Sequence, residues 1–496
     1  MDILLSDLLL NWKPKASRPL YKSLYEALKV RITGHALQGG SVLPTSRNMA
    51  VALGVSRNTI MQALDMLIAD GFLETRQGAG VFVTNELDGF DVQQSALESE
   101  ATVTLPALNT RAEKWLKVYR NGRVGANAKA FAPGKPALED FPFDVWARLL
   151  SRRWRMSGAR LAMAEDSKGD LSLRKHVARY LSSTRGGMYD PEDILIVSGA
   201  QQGLDLIARV LWEQEDVIVT DDPTFPGISG VLAGTGVKHL AVPIDDEGVL
   251  LDQIPKGEKI KSFLVTPSRN YPVGVTMSLA RRLELLKVAR RCQAWVVEDD
   301  YDCDFRFDGP PLSSLQSIDP DGRVIYVGSF SRIIFPALRL GFIVAPKSLV
   351  PAFEAAKAFI DGHTSIIHQS ALADFFEEGY FHSHLRRMKK IYAKRRRYLI
   401  DLIDGELSSH LTVAPADGGL HICALLKNRS DDEQLSSQLL VHGVTVRPLS
   451  RFYKGPKKCY GFVMGFAGYS EQELGDAITI VKKILRDAKN TFISEK

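Results

Sequence analysis

The sequence predicts an α/β chain in two parts, a small helical N-terminal domain that ends in a β-hairpin and a large α/β body after it. Three observations support this prediction. Residues 19–84 hold short amphipathic helical patterns followed by a hairpin punctuated by glycines. From about residue 130, apolar strand-like runs alternate with helical ones, which is typical of a largely parallel sheet covered by helices. The 496 residues, 45% hydrophobic and 24% charged, are enough for more than one globular domain.

Composition excludes several classes of protein. No run approaches the roughly twenty apolar residues that a membrane-spanning helix requires, so no membrane partner is expected. The first ten residues lack a basic leader and a small-residue cleavage site, and we expect a cytoplasmic protein. A net charge of +5 is too small over this length to indicate a nucleic-acid partner by itself. No metal site is predicted, because four cysteines form no CxxC pair: Cys292, Cys303, Cys423 and Cys459.

Residues Leu43–Ile60 have the pattern of a helix-turn-helix. A polar cap precedes one short helix, Gly54 occupies the turn, and Ser56 can cap a second helix. A helix that enters the major groove by its N-terminus meets phosphates and base edges there. The start of the second helix presents three side chains of the types that make such contacts: Arg57, Asn58 and Thr59.

The next segment, Gly71–Val83, has the glycines and the short apolar runs of a hairpin wing. With the helix pair, it resembles the winged helix-turn-helix domain of the GntR family of bacterial regulators. The resemblance implies that Arg47 and Arg57 contact DNA and that the wing tip around Gly80 lies along the minor groove. We therefore assign residues 15–85 to a DNA-binding domain whose partner is operator DNA.

Residues 86–125 lose hydrophobic periodicity and become polar, which predicts a linker. The body is assigned to residues 126–490. Long helices followed by short strands near 419–426 and 461–466 predict a smaller α+β subdomain toward its C-terminus. The strand-like runs of its main sheet are Ile194–Ser198, Val217–Thr220, Ser262–Thr266, Ala294–Glu298, Val324–Val327 and Gly341–Ala345.

Two segments of the body carry candidate binding groups. Ser198–Gly203 follows a strand and opens a helix, so a phosphate could sit on the N–H groups around Ala200 and Gln201 at the positive helix end. In Val296–Phe307 a buried strand ends in adjoining acids followed by an aromatic residue. Ligands of open α/β sheets are held at this carboxyl edge of the strands.

With a third segment, Ser329–Gly341, the body resembles a type I aminotransferase. The chain has a DNA-binding domain, which we call the head, then a linker and then the body. This order resembles the MocR-type subfamily of GntR regulators over nearly the full chain. The resemblance implies pyridoxal 5′-phosphate as the cofactor and a homodimer. Phe225 would stack on the cofactor ring, and Asp299 would keep its pyridine nitrogen protonated. Tyr301 would hydrogen-bond the ring oxygen, and Arg339 would add a cation on the phosphate side.

Arg332 is the departure from this family pattern with the largest consequence. It stands where the attachment segment of a type I aminotransferase carries the lysine that binds the cofactor covalently. A guanidinium keeps its proton and delocalises its nitrogens, so it does not attack an aldehyde. Covalent attachment of pyridoxal phosphate is therefore not expected, and no catalytic residue is assigned.

Other departures surround the same pocket. Arg269 follows Thr266-Pro267-Ser268, where the family usually has histidine and glutamine. The segment Ala164–Gly169 contains no tyrosine, although the family often brings one there to the phosphate of the partner subunit. Val463 occupies the position where aminotransferases commonly place an arginine for the substrate carboxylate.

Three uses of the pocket stay open. Pyridoxal phosphate could bind non-covalently, with Arg332 attracting its phosphate or phenolate. A different small anion could be drawn by Arg332 and Arg339, or the body could serve only for dimerisation. We predict a DNA-binding transcription regulator whose aminotransferase-like body senses a small-molecule effector, pyridoxal phosphate or a related anion, and dimerises without transaminase activity. The alternative is an active pyridoxal-phosphate-dependent aminotransferase with a DNA-binding head.

Overall fold

The structure is a computed structural model that describes two compact units, Met1–Ala107 and Leu108–Lys496. Predictions that concern the first ten residues, most of the linker, and Ala164 and Glu165 lie outside the described residues. The description covers residue 12 and residues 19–34, 36–87, 106–122, 130–163, 166–428 and 431–494.

The first unit is a winged helix-turn-helix, which confirms the prediction for the head. Gly54 ends the second helix in the left-handed conformation, with a φ of 62°, which favours glycine because it has no Cβ. The buried faces of the helices meet in one apolar core that includes Leu24, Ile60 and Leu64. Its elements are α1 (Leu20–Thr33), α2 (Ser46–Leu53), α3 (Arg57–Ala69) and the antiparallel pair β1 (Leu73–Arg76) and β2 (Gly80–Val83).

The second unit is built on an eight-stranded, mostly parallel sheet in the order β3-β10-β9-β8-β7-β4-β5-β6, which confirms the predicted α/β body. β10 runs antiparallel to both of its neighbours. Four of the eight strands are buried along their whole length and three more at all but one residue, as the continuous apolar runs predict. They are β3 (Ile194–Val197), β4 (Val217–Asp222), β5 (Lys238–Asp245), β6 (Gly248–Val249), β7 (Ile260–Val265), β8 (Trp295–Asp300), β9 (Val324–Ser329) and β10 (Gly341–Val344).

Helices cover this sheet. The first of the unit, α4 (Thr110–Gly122), lies inside the segment predicted as a linker and packs on α8. The Trp115 Nε1–H donates a 2.9 Å hydrogen bond to the Gly230 carbonyl oxygen of α8. The other helices are α5 (Phe143–Ala162), α6 (Leu171–Thr184), α7 (Ala200–Leu211), α8 (Pro226–Thr235), α9 (Leu279–Cys292), α10 (Leu315–Ile318), α11 (Val350–Asp361) and α12 (Ile366–Glu377).

A second, four-stranded antiparallel sheet follows, in the order β11-β12-β14-β13. It confirms the smaller α+β part expected toward the C-terminus. None of the helices within the described ranges combines the length and hydropathy that crossing a membrane requires. The elements here are α13 (Tyr380–Glu406), β11 (Leu411–Val413), β12 (His421–Leu426), α14 (Asp432–Val441), β13 (Arg447–Pro448), β14 (Gly461–Gly465) and α15 (Glu471–Ser494).

Candidate functional site

The predicted DNA-contacting residues of the head lie at the N-terminal ends of α2 and α3. The Ser56 hydroxyl accepts the Thr59 N–H at 3.2 Å and caps α3, so its first turn is fixed. Arg57 and Asn58 are exposed, while Thr59 is partly buried. Arg57 Nε donates to the Ser46 hydroxyl at 3.2 Å, which ties the start of α3 to the start of α2.

Two further elements of the head present the other predicted contacts. Arg47 is exposed on α2, and Gly80 is exposed at the tip of the hairpin with a φ of 113°. The wing also carries Arg76, whose guanidinium pairs with Glu74 at 2.6 Å and lies 4.6 Å from the centre of the Phe82 ring. Both contacts hold the Arg76 side chain along the surface of the hairpin.

The predicted phosphate cradle lies at the turn from β3 to α7. Gly199 has a φ of 84°, which allows the chain to turn sharply before Ala200 begins the helix. The first N–H groups of a helix have no intrahelical acceptor, so those of Ala200 and Gln201 can face an anion. Arg339 Nη2 donates to the Ser198 carbonyl oxygen at 2.8 Å, which brings the predicted phosphate-side cation to this turn.

The predicted stacking residue, Phe225, immediately precedes α8 and is linked to the same turn. Gln201 Nε2 donates to the Gly227 carbonyl oxygen at 3.1 Å, joining α7 to α8. A Cβ at position 227 would lie 2.3 Å from the Phe225 ring, so this ring position requires glycine there. The Phe225 ring packs edge to face on the Tyr271 ring, with 5.2 Å between the ring centres. The Tyr271 ring packs in the same way on the Tyr301 ring, with 5.6 Å between the centres.

The end of β8 brings together Asp299, Tyr301 and Arg332. Asp299 is 4% exposed, and within the described residues its Oδ1 has no hydrogen-bond partner. Burial, reinforced by Asp300 and opposed by Arg332, raises the pKa of Asp299 to about 7. The Tyr301 hydroxyl is also buried without a partner among these residues, and burial raises its pKa.

The other two acids of this cluster point the opposite way, because side chains alternate across a strand. Glu298 accepts the N–H groups of Leu315 and Gln316, and burial raises its pKa to about 7. Asp300 accepts hydrogen bonds from Arg185 Nε at 2.9 Å and from the Tyr326 hydroxyl at 2.5 Å. These two carboxyl groups therefore hold neighbouring elements together, whereas Asp299 lies on the other face of the strand with Oδ1 unpartnered among the described residues.

Sequence reasoning did not assign site roles to Arg269, Asn270 and Asp221. Asn270 donates to Asp221 Oδ2, which also accepts the N–H and the hydroxyl of Thr266, so this buried network fixes the loop after β7. Arg269 is 5% exposed and donates to the His421 carbonyl oxygen at 2.9 Å. The sequence marks Arg269 only as a departure, because the family usually carries histidine at this position.

Arg447 is a further cation that the sequence did not indicate. It stands on β13 directly opposite Val463 of β14, which is fully buried where an aminotransferase would place its carboxylate-binding arginine. Pairing between strands β13 and β14 creates this neighbourhood, and no short motif encodes it. Arg447 lines a cavity of about 850 Å³ that also includes Trp115 of α4, Gln201 and Arg339.

Chemically, the site contains three kinds of binding group: N–H donors with a cation beside them at the start of α7, a carboxylate oxygen, and a phenol. The carboxylate oxygen of Asp299 and the phenol of Tyr301 have no partner among the described residues. The nucleophile is missing from its expected position, because Arg332 occupies it. Arg332 lies with its guanidinium carbon 5.0 Å from the centre of the Tyr301 ring. Such a set of groups can hold a phosphorylated heterocycle and recognise it without reacting with it.

Head and body together define a class of protein, a DNA-binding transcription regulator with an aminotransferase-like domain. Residues 20–83 match the bacterial regulatory proteins of the gntR family, and residues 134–480 match aminotransferase class I and II. The chain is 36% identical over 469 residues to the probable rhizopine catabolism regulatory protein MocR of Rhizobium meliloti, covering 94% of each chain. It belongs to the MocR-type subfamily of GntR regulators.

Two more comparisons agree with this assignment. The pyridoxine biosynthesis regulator PdxR of Corynebacterium glutamicum is 28% identical over 485 residues, covering 96% of this chain and all of that protein. The kynurenine aminotransferase of Pyrococcus horikoshii superposes on the body with a TM-score of 0.68 and 25% identity, covering 79% of this chain and 97% of that one. The body therefore has the aminotransferase fold.

Proposed function

We propose that the body of this regulator binds pyridoxal phosphate or a closely related anion without a covalent bond, and that occupancy controls operator binding by the head. One observation gives the main support for this proposal. Asp299 and Tyr301 each bury a polar atom that has no partner among the described residues, although burial of such atoms is unfavourable. A bound heterocycle would satisfy both, with a protonated nitrogen on Asp299 and a ring oxygen on Tyr301.

The residues of the pocket fit this group. Its phosphate would be held by the N–H groups of Ala200 and Gln201 with Arg339 beside them, and Phe225 would cover the ring. In enzymes, pyridoxal phosphate supplies an electron sink for reactions of amino acids. Here the side chains bind and orient, and Arg332 offers charge in place of a nucleophilic amine. Transamination is therefore not part of the proposed function.

Occupancy can regulate DNA binding only if the effector binds two arrangements of the protein with different affinity. A coupling free energy of about 1–3 kcal/mol is typical and changes affinity about 5- to 150-fold. We further propose a homodimer, because a DNA-binding regulator with two heads can read two half-sites. A cytoplasmic location follows from its DNA partner.

The test asks whether pyridoxal phosphate binds and whether it becomes covalently attached. Full-length protein is mixed with pyridoxal phosphate, and its melting temperature, visible absorbance and intact mass after borohydride treatment are measured. We expect the melting temperature to rise, because a ligand that binds only the folded state stabilises it. We expect the mass to stay that of the free polypeptide.

A matched variant makes the result specific. Tyr301→Phe removes the unpartnered hydroxyl and should weaken the thermal response, whereas Tyr189→Phe removes a hydroxyl that already bonds Ser314 at 2.8 Å and should leave the response intact. A covalent adduct at any lysine, or amino-group exchange between amino and keto acids, would support the enzyme alternative instead. Absence of any thermal response would leave the body as a dimerisation module only.

The regulatory half is tested by selecting duplexes from a random library with the full-length protein. Affinity for a selected duplex is then measured with and without pyridoxal phosphate at one salt concentration, because phosphate contacts make DNA binding strongly salt-dependent. We expect the effector to change affinity for the selected duplex at least about fivefold. Equal affinity in both conditions would contradict the proposed control by occupancy.

A further inference from the structure

Arg332 presents an unused hydrogen-bond donor to the pocket. Among the described residues, its buried Nη1 has no hydrogen-bond partner and no carboxylate lies within ion-pair distance of its guanidinium. The group lies over the Tyr301 ring and against the backbone of Gly134, where an added Cβ would be 3.4 Å from Nη1. A buried guanidinium donor without an acceptor is unfavourable, so this position suits a ligand that brings an acceptor.

A second cation, Arg269, acts on the same space. It is 5% exposed, and its Nε and Nη1 have no hydrogen-bond partner among the described residues. Arg269 and Arg332 both favour the ionised form of Asp302 and of Tyr301, and both lower the pKa of His421. Both guanidinium groups are therefore close enough to these three groups to influence them.

The acids of the pocket do not neutralise this charge. Asp302 Oδ2 accepts the Leu420 N–H at 3.1 Å and lies 3.8 Å from Arg269 Nε, and among the described residues Asp302 forms no ion pair with Arg332. Asp299 has a pKa raised to about 7 and is the acceptor available for a ring nitrogen. His421 is neutral, because burial lowers its pKa well below the usual range. A positive charge is left at Arg332.

The charges of the site favour one orientation of a bound pyridine ring. Asp299 favours a protonated ring nitrogen at one point, and Arg332 favours a negative group where the aldehyde of pyridoxal phosphate would meet the lysine of an enzyme. In pyridoxal phosphate the aldehyde is attached to the ring carbon opposite the nitrogen. A carboxylate there could form two parallel hydrogen bonds with a guanidinium, whereas an aldehyde accepts weakly and an ammonium group is repelled.

We propose that the pocket selects a phosphorylated pyridine that carries a carboxylate on the ring carbon opposite the nitrogen, recognised by Arg332 with support from Arg269. This inference rests on the proposed function, since it names the ligand class of the same site. The ligand corresponds to the oxidised form of pyridoxal phosphate, so the regulator would respond to oxidation of the vitamer rather than to the reactive aldehyde.

Four probes that differ only at this carbon test the inference. They are the carboxylate, the aldehyde, the aminomethyl and the neutral hydroxymethyl forms of the same pyridine 5′-phosphate. Their affinities for the full-length protein are measured by titration calorimetry. We expect the carboxylate to bind about ten- to a hundredfold more tightly than the hydroxymethyl form, because hydrogen bonds to charged groups are the strong ones, and the aminomethyl form to bind most weakly.

Two substitutions distinguish the carboxylate contact from the phosphate contact. Arg332→Gln should reduce the carboxylate preference over the hydroxymethyl form to within about threefold, and residual binding of the hydroxymethyl form reports that the variant is folded. Arg339→Gln should weaken all four probes alike, because it removes a cation on the phosphate side. Arg332→Lys should move the preference to the aldehyde and allow borohydride to trap it, because an amine then faces the aldehyde carbon.

The outcomes separate this inference from the proposed function. If none of the four probes binds, the proposed function fails and the inference fails with it. If the aldehyde or aminomethyl form binds as tightly as the carboxylate, the proposed function stands and the inference is overturned. An unchanged carboxylate preference in Arg332→Gln would also overturn it, because the recognition would then belong to other groups.

Discussion

Replacing Asp299 with asparagine should stabilise the ligand-free body above neutral pH while weakening its hold on a protonated ring nitrogen. In the folded protein, burial and the neighbouring Asp300 raise the pKa of Asp299 from 3.8 to about 7, and Arg332 opposes them only in part. Ionised Asp299 is therefore unfavourable in the folded state and costs nothing in the unfolded chain. Asparagine has no such cost.

The size and the sign follow from proton linkage. The difference between 3.8 and about 7 corresponds to about 4 kcal/mol as an upper limit. Below 3.8 the carboxyl is protonated in both states, so its titration contributes nothing. As the pH rises toward about 7, the unfolded chain releases the proton first and the free energy of unfolding falls. Above that pH the full loss is present, and Asp299→Asn should recover most of it.

Chemical denaturation at about pH 5 and about pH 8, without vitamers, measures the effect, and the gain should be larger at the higher pH. Asp300→Asn is the matched control on the same strand. It removes one of the two carboxylate partners of Arg185, whose guanidinium is 4% exposed and still pairs with Asp304 at 2.9 Å. It should therefore destabilise the protein at both pH values, by less than the about 3–5 kcal/mol of leaving a buried charge unpaired. If Asp299→Asn destabilises the protein at about pH 8 as its neighbour does, Asp299 is a structural residue and not a ligand acceptor.

The remaining predictions concern other parts of the chain. Arg57→Ala should weaken binding to a selected duplex by about 1–3 kcal/mol and relax base preference, measured against a random duplex at one salt concentration. Ser56→Ala should cost about 1 kcal/mol in head stability, seen by amide hydrogen exchange in α3. Gly234→Ala should displace α4 and speed proteolysis there, because its Cβ would lie 2.6 Å from Trp115; Gly230→Ala, whose Cβ meets nothing within 4 Å, should not.

The fold was largely predictable because its strands and helices are marked by local patterns. Six buried strands of the main sheet are continuous apolar runs between polar turns, and the helix-turn-helix is punctuated by Gly54 and Ser56. β5, Lys238–Asp245, was missed because most of it is only half-buried and its apolar residues are interrupted by His239 and Pro243. α4 was missed because its polar composition conceals a single face that packs through Trp115.

The site was predictable only where its residues belong to a contiguous segment. Asp299, Tyr301 and Arg332 could be identified from two short stretches of sequence. The hydrogen-bond partners of the neighbouring acids could not be predicted in this way. The separation of Asp299 from Asp300 depends on which face of β8 is covered by Arg185 and Tyr326, which only the folded chain determines. Patterns within one segment cannot indicate residues that strand pairing brings together, such as Arg447 opposite Val463.

What this body keeps and what it has replaced follow from the difference between recognition and catalysis. An enzyme must bind its transition state more tightly than its substrate, so it needs a nucleophile that changes protonation during the reaction. A regulator needs only a ground-state affinity that differs between two arrangements of the protein. In the proposed function, Asp299 and Tyr301 serve ground-state binding, whereas Arg332 cannot release its proton. On this proposal, arginine at position 332 supplies a charge that recognises a ligand and no amine that reacts with it.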